Sequence, residues 1–336
     1  MTITTIPKSL SGFNHIVAFE VAKAELLVHI LPEGEGHKLP NSAAAVRRLL
    51  KREAKHNATL GLGPLLVICE ATGGYERHVL DVANDLGLAS HRAHGSAVRD
   101  YAKFKREHSK TDAIDVVLIA KFGRDSENLR LYQPPSPNEL TLRELTARRS
   151  DLKATAHAEL CRLEHIRSVI VIKSIKGHLQ MLGKQIADIE AAIARLLAED
   201  QAFAHKSALM QTLTGIGPVS AATILAYLPE IGQVPRGTIA KLAGLAPIAN
   251  DSGKKQGPRH IFAGRAEVRK CLYMAAVAAM RANQVMRDFA SRLTANGKPF
   301  YVVATAVMRK MLTTLNAIIE QDQPWKFAKT TCFRTR

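Results

Sequence analysis

The sequence predicts an α/β domain followed by a half that is helical nearly throughout. Three observations carry this expectation. From about Asn14 to Arg124, short β-rich runs alternate with amphipathic stretches, the pattern of a sheet covered by helices. The segment LYQPPSPNEL then interrupts the chain, because consecutive prolines cannot continue a helix and bias their predecessors toward extended backbone. Beyond it, Leu140 to Asp200 is nearly free of glycine and proline, and its apolar residues recur at helical spacing.

Within the first part, HIVAFEVA and ELLVHIL stand close enough to pair as a hairpin around Ala22–Ala24. LLVICE is a continuous apolar run of the kind buried inside a sheet, and ASHRAH is a further strand candidate. SAAAVRRLLKREAKH, YERHVLDVANDLG and SAVRDYAKFKRE read as the helices between them, and the sheet should be mixed. In the middle part, Ile175, Leu179, Leu182, Ile186, Ile189, Ile193 and Leu196 alternate steps of four and three, which is the seam of a helix that packs against another helix. That seam fits a coiled-coil hairpin or dimerising arm as well as an ordinary bundle helix. From Leu209 onward the chain is again helical but punctuated, with apolar helices expected around Val268 to Met286 and Phe300 to Ile319 and a basic tail, KFAKTTCFRTR. Three regions result: a catalytic α/β domain at 1–130, a helical linker or dimerisation arm at 131–205, and a mostly helical domain at 206–336.

The charge speaks to partners rather than fold. With 47 Lys+Arg against 30 Asp+Glu the chain carries +17, which points to nucleic acid. No stretch approaches about 20 uninterrupted apolar residues, and MTITTIPKSLSGFNH lacks a signal pattern, so a soluble cytoplasmic protein with no membrane partner is expected. Cys69, Cys161, Cys271 and Cys332 are too scattered for a metal knuckle or a disulfide framework and should be reduced and packed.

Three constellations could do chemistry. Glu20 and Glu70 end strand candidates, and Asp112 and Asp115, three apart, share a helical face. Converging hard oxygen ligands bind Mg2+ and can serve phosphoryl transfer; each acid alone reads better as a solvated surface charge, and it is their joint placement next to turns that favours the metal site. Second, LTGIGPVSAATILAYL places Gly215 and Gly217 at a turn opening a helix, similar to the helix-hairpin-helix turn that cradles a phosphate; a tight connection that simply needs glycine is the other reading. Third, DSGKKQGPRHIFAG sets Ser252 among Lys254, Lys255, Arg259, His260, Arg265 and Arg269. A serine hydroxyl is a weak nucleophile without a base or cation, and those groups could neutralise a phosphodiester. By composition alone the stretch fits a basic DNA-contacting loop without catalysis better than a nucleophile's platform.

Taken together these motifs resemble the DEDD transposases of the insertion sequence 110 group and their DNA-invertase relatives, described as RNA-guided recombinases. VAFEVAKAELLVHIL is similar to the family's first strand, VICEATGGYER to its second acidic motif, and KTDAIDVVLIAKFGR to its paired-aspartate helix. LTGIGPVSAATIL followed by LAGLAPIANDSGKKQGPRHIFAGRAEVRKCLYMAA is similar to the C-terminal transposase domain. The resemblance implies a RuvC-like RNase H fold at the N-terminus, with Glu20, Glu70, Asp112 and Asp115 as an acidic tetrad holding Mg2+. It implies that Ser252 attacks a DNA phosphodiester and holds the strand as a phosphoserine linkage. It also implies an element-encoded bridge RNA that pairs with target and donor double-stranded DNA, and homodimers that assemble into tetramers, with the acids of one subunit serving the serine of another. One departure stands at Glu20, where the family carries aspartate: the extra methylene moves the carboxylate outward by about one bond, and Mg2+ is strict about octahedral geometry. Two other functions stay open on the sequence, a RuvC-like junction nuclease that uses metal-activated water and a non-catalytic RNA- and DNA-binding scaffold.

Overall fold

The structure, a computed structural model, describes residues 9–10, 12–107, 109, 111–127, 129–249, 251–253, 255–257 and 259–326. The chain divides into two units, Met1–Pro134 and Pro135–Arg336, and the boundary falls inside the proline cluster.

In the first unit the elements run β1 (Ser9–Leu10), β2 (His15–Val21), β3 (Glu25–Leu31), β4 (Glu35–Pro40), α1 (Ala43–Leu60), β5 (Leu65–Glu70), α2 (Arg77–Asp85), β6 (Ala89–Ala93), α3 (Gly95–Phe104), α4 (Asp112–Asp125) and β7 (Leu129–Arg130). Five strands form one sheet in the order β4-β3-β2-β5-β6. The expected hairpin is β2–β3, with Glu20 opposite Leu27, and β5 and β6 continue the sheet in parallel. Strand alternation gives the sheet two apolar faces. Val17, Phe19, Val67 and Cys69 pack with Val46, Leu50, Val79 and Leu80 of α1 and α2. Ile16, Ala18, Leu66 and Ile68 pack with Val98 of α3 and Val116, Ile119 and Ala120 of α4. Strand β4 was not legible in EGHKLP, which is polar and has no alternation; it lies at the sheet edge, where Pro40 at its end interrupts no central ladder.

In the second unit α5 (Pro137–Leu163) begins with a capping box in which Ser136 and Glu139 bond each other's backbone N–H. It turns at residues 164–168 into α6 (Val169–Glu199). Arg149 meets Glu190 at 2.6 Å while His178 meets Glu159 at 3.1 Å, so the two helices run antiparallel. The seam predicted on α6 faces inward, with Ile175, Leu182 and Ile193 buried. There follow α7 (Gln201–Gln211), α8 (Pro218–Tyr227), α9 (Arg236–Leu242), four short strands β8 (Pro247–Ile248), β9 (Asp251–Ser252), β10 (Lys255–Gln256) and β11 (His260–Ile261), then α10 (Ala266–Ala282), α11 (Gln284–Ala295) and α12 (Phe300–Gln321). Among the described residues α12 is the one helix long and apolar enough to cross a membrane, and Val307, Met311, Leu312 and Leu315 on it are instead buried in the core with Leu272 and Ala276 of α10.

The cysteines depart from expectation at one place. Cys69 is buried and Cys271 half-buried, but Cys161 is exposed on α5. Cys332 and the rest of the basic tail from residue 327 lie outside the described residues, as does Lys254.

Candidate functional site

The acids of the first unit are set by strand register. Phe19 pairs with Cys69, so Glu20 and Glu70 follow side by side at the carboxyl ends of adjacent parallel strands. By alternation with Ala18 and Ile68 both belong to the face that α4 covers. Asp112 and Asp115 occupy the first turn of α4, whose cap is Thr111, accepting from the Ile114 N–H. Acids are favoured there by the helix dipole whatever their function. Helix α3 starts at Gly95, against the Glu70 carboxylate, and its far end is latched to the far end of α4: the Tyr101 hydroxyl donates to Asp125 at 2.6 Å and Lys105 pairs with it at 2.9 Å. Burial and the Asp125 bond push the Tyr101 hydroxyl up to about 12, while Lys105, then Tyr101, hold Asp125 well below the usual carboxylate range. This latch ties the end of α3 to the end of α4. Glu20, Glu70 and Asp115 are half-buried and Asp112 is exposed.

The donor set suits a hard divalent cation in kind, since all four groups are carboxylates. Glu20 and Glu70 share an end of the sheet and Asp112 and Asp115 share a helix turn, but among the described residues no three His, Cys, Asp or Glu side chains stand close enough to hold one ion together.

Two neighbours of this end were not singled out from the sequence. A Cβ on Gly95 would fall 2.3 Å from Glu70 Oε1, so the bare glycine makes room for that carboxylate. Glu76, buried, accepts from the N–H groups of Thr72 and Gly74 at 3.2 and 2.8 Å, with Arg92 at 3.6 Å, and so ties down the turn that follows Glu70. Burial pulls its carboxyl upward, but these N–H donors and Arg92 outweigh burial and hold it below the ordinary glutamate value. The only sequence signal was a carboxylate four residues after Thr72 in a glycine turn, a pattern too common to single out.

In the second unit the serine stretch is a two-tier β-ribbon rather than an open loop. The lower tier pairs β8 with β11 and the upper tier pairs β9 with β10, so that Ser252 faces Lys255 across the tip. Such two-residue strands carry no alternation for a sequence to reveal. Gly253 turns the tip with φ +55°, a conformation that favours glycine. Asp251 braces the ribbon by accepting from the Gly257 N–H at 3.2 Å and from Arg259 at 2.8 Å. Ser252 is exposed.

The cations predicted around the serine divide into two groups. Arg259 and His260 are exposed on the ribbon. Arg265 is instead bound through both terminal nitrogens to the buried Glu230, one contact being 2.6 Å, and Arg269 donates to the carbonyls of Ala243 and Ala263. These two arginines lock the base of the ribbon, where Gly244 and Gly264 lie so close that a Cβ on Gly264 would sit 2.2 Å from the Gly244 nitrogen. The glycines of the α7–α8 turn divide likewise. Gly215, at φ +105°, is pressed against α10, its Cβ position being 2.8 Å from the Ala275 carbonyl, whereas Gly217 opens α8 with open space around it.

Comparison with known proteins places this arrangement. A family model described as a transposase of the DEDD, IS110 type matches residues 21–170, which include Glu70, Asp112 and Asp115 and begin one residue after Glu20. A second, described as transposase of the IS116/IS110/IS902 family, matches residues 207–291, including Gly215, Gly217 and Ser252. The chain is 29% identical over 276 residues to a pilin gene-inverting protein of Moraxella bovis, covering 78% of this chain and 82% of that one. It is 28% identical, with the same coverage, to the pilin gene-inverting protein of Moraxella lacunata. It is 27% identical over 153 residues to an insertion element IS110 protein of Streptomyces coelicolor, covering 45% of this chain and 36% of that one. With both halves matched in order, the chain belongs to the IS110 family of transposases, enzymes that cut DNA and rejoin it.

Proposed function

We propose that this protein is the RNA-guided recombinase of an insertion sequence and that it exchanges DNA strands through a covalent phosphoserine linkage. The observation that carries this reading is the presence in one chain of two carboxylates side by side at one end of a sheet, two more in the first turn of the helix that covers it, and an exposed serine at the tip of a braced basic ribbon. The sheet order supports a RuvC-like reading of the catalytic domain at 1–130. In the proposed chemistry the Ser252 oxygen attacks the scissile phosphorus and loses its proton, and the P–O bond to the departing strand breaks; attack by another strand end later releases the serine. Lys254, Lys255 and Arg259 offset the phosphate charge. Glu20, Glu70, Asp112 and Asp115 would hold Mg2+, which when bound supplies charge neutralisation at the phosphate. Arg265 and Arg269, placed by sequence among the DNA-binding groups, act here by holding the ribbon.

The charge of +17 supports contacts to RNA and to two duplexes, target and donor, in the cytoplasmic compartment where an insertion sequence moves. The tip of the α5–α6 hairpin exposes Val169 and Ile170, 78% and 82% accessible, which supports the arm at 131–205 as the place where homodimers and then tetramers form.

The test is a denaturing gel of labelled DNA with purified protein, Mg2+ and guide RNA. Wild type should leave DNA attached to protein, and Ser252→Ala should abolish both the adduct and strand exchange. Cleavage that persists in Ser252→Ala would favour a nuclease using activated water. Normal recombination by the double variant Asp112→Ala, Asp115→Ala would remove the metal site from either account.

A further inference from the structure

Beside the ribbon, within the second unit, lies a cavity of about 860 Å3. That is within the roughly 300–1,000 Å3 range of sites that take small ligands, and far too confined for a duplex. Its wall carries Arg236, Arg259, His260, Arg309 and Lys310, and none of its lining residues is Asp or Glu. Its apolar part includes Leu245, Pro247 and Val302, and two rings reach it, Tyr301 and Phe289. Tyr301 is 73% accessible, and Phe300 stands edge-on to it with centroids 5.8 Å apart, so a large ring is held in solvent at the rim. Lys310 lies 4.5 Å from the centre of the Phe289 ring, and burial, with Arg292 nearby, holds it below the ordinary lysine value. Arg259 is shared with Asp251 behind the wall, while the lining itself carries no carboxylate; positive charge of this kind next to an uncovered aromatic face is the chemistry that receives a phosphate and an unstacked base.

We infer that this cavity binds one unpaired nucleotide of a nucleic-acid strand, its base against Tyr301 and its phosphate on Arg309 and Arg259. The inference rests on the proposed strand exchange for its purpose. Arg259 and His260 belong to the same ribbon that carries Ser252, so a nucleotide freed from its pair there is held close to the cutting serine's own support. Base-paired DNA, whose base faces are covered by stacking, cannot use the ring.

Full-length protein is titrated in EDTA, so that no chemistry occurs, against one 2-aminopurine-labelled sequence in three forms: single-stranded DNA, single-stranded RNA and blunt duplex DNA. Wild type should quench the probe in a single strand. Tyr301→Ala and Arg309→Gln should each weaken single-strand binding about tenfold while changing duplex binding by less than about twofold. Thr305→Trp, which fills the cavity without removing ring or charge, should do the same. A preference for the DNA or the RNA strand identifies the source of the nucleotide, and either preference, or none, supports the site. Unchanged single-strand binding in all three variants, or equal losses for duplex, overturns it. A change in self-association with no change in oligonucleotide binding also overturns it and makes the face a contact between copies. Ser252→Ala serves as a separate arm, read only by the covalent adduct. Its effect on the covalent adduct judges the phosphoserine proposal alone.

Discussion

Gly95 shows how a residue without a side chain can govern an acid. The atom a new Cβ would strike is the far end of Glu70, a flexible carboxylate, so Gly95→Ala should barely change stability while turning that carboxylate away. Strand cleavage should fall by roughly ten- to a hundredfold, as when support around a metal ligand is lost, with an unchanged melting temperature. Glu76 acts on the same end of the sheet through the turn after Glu70. Because its folded value lies below the ordinary 4.5, it stabilises the protein above that pH, and the contribution is lost as pH falls below it through the folded value. Denaturant unfolding from pH 7 to pH 3 should therefore show a loss of stability that Glu76→Gln flattens; parallel curves would refute the assignment.

The ribbon is the element that turns a serine into a presented group, and its strength lies at its base. Removing the guanidinium that binds the buried Glu230 through both nitrogens, Arg265→Ala, should cost about 2–4 kcal/mol, because the carboxylate stays largely buried without it. Chemical denaturation measures this. If Arg265 instead met only DNA phosphates, stability would be untouched and binding would weaken. The arm repeats the lesson. Its seam residues Ile175, Leu182 and Ile193 are buried within this chain.

Across the whole molecule, the excess of 47 basic over 30 acidic residues predicts binding ruled by counterion release. Affinity for duplex DNA should drop by about three orders of magnitude between roughly 50 and 200 mM salt, as checked by mobility shift, if six or more phosphates are contacted. Much of the molecule was legible because it depends on local chemistry. Short β-rich runs marked β2 and β3, a continuous apolar run marked β5, prolines marked the unit boundary, and ordered motifs marked the family. What only the tertiary structure decided was the use of side chains whose partners lie far along the chain. Arg265 meets Glu230 and Gly95 makes way for Glu70. Tyr301 joins Arg259 around one cavity. A local pattern records propensity and charge, but whether a cation faces solvent or a buried carboxylate depends on which distant backbone folds against it.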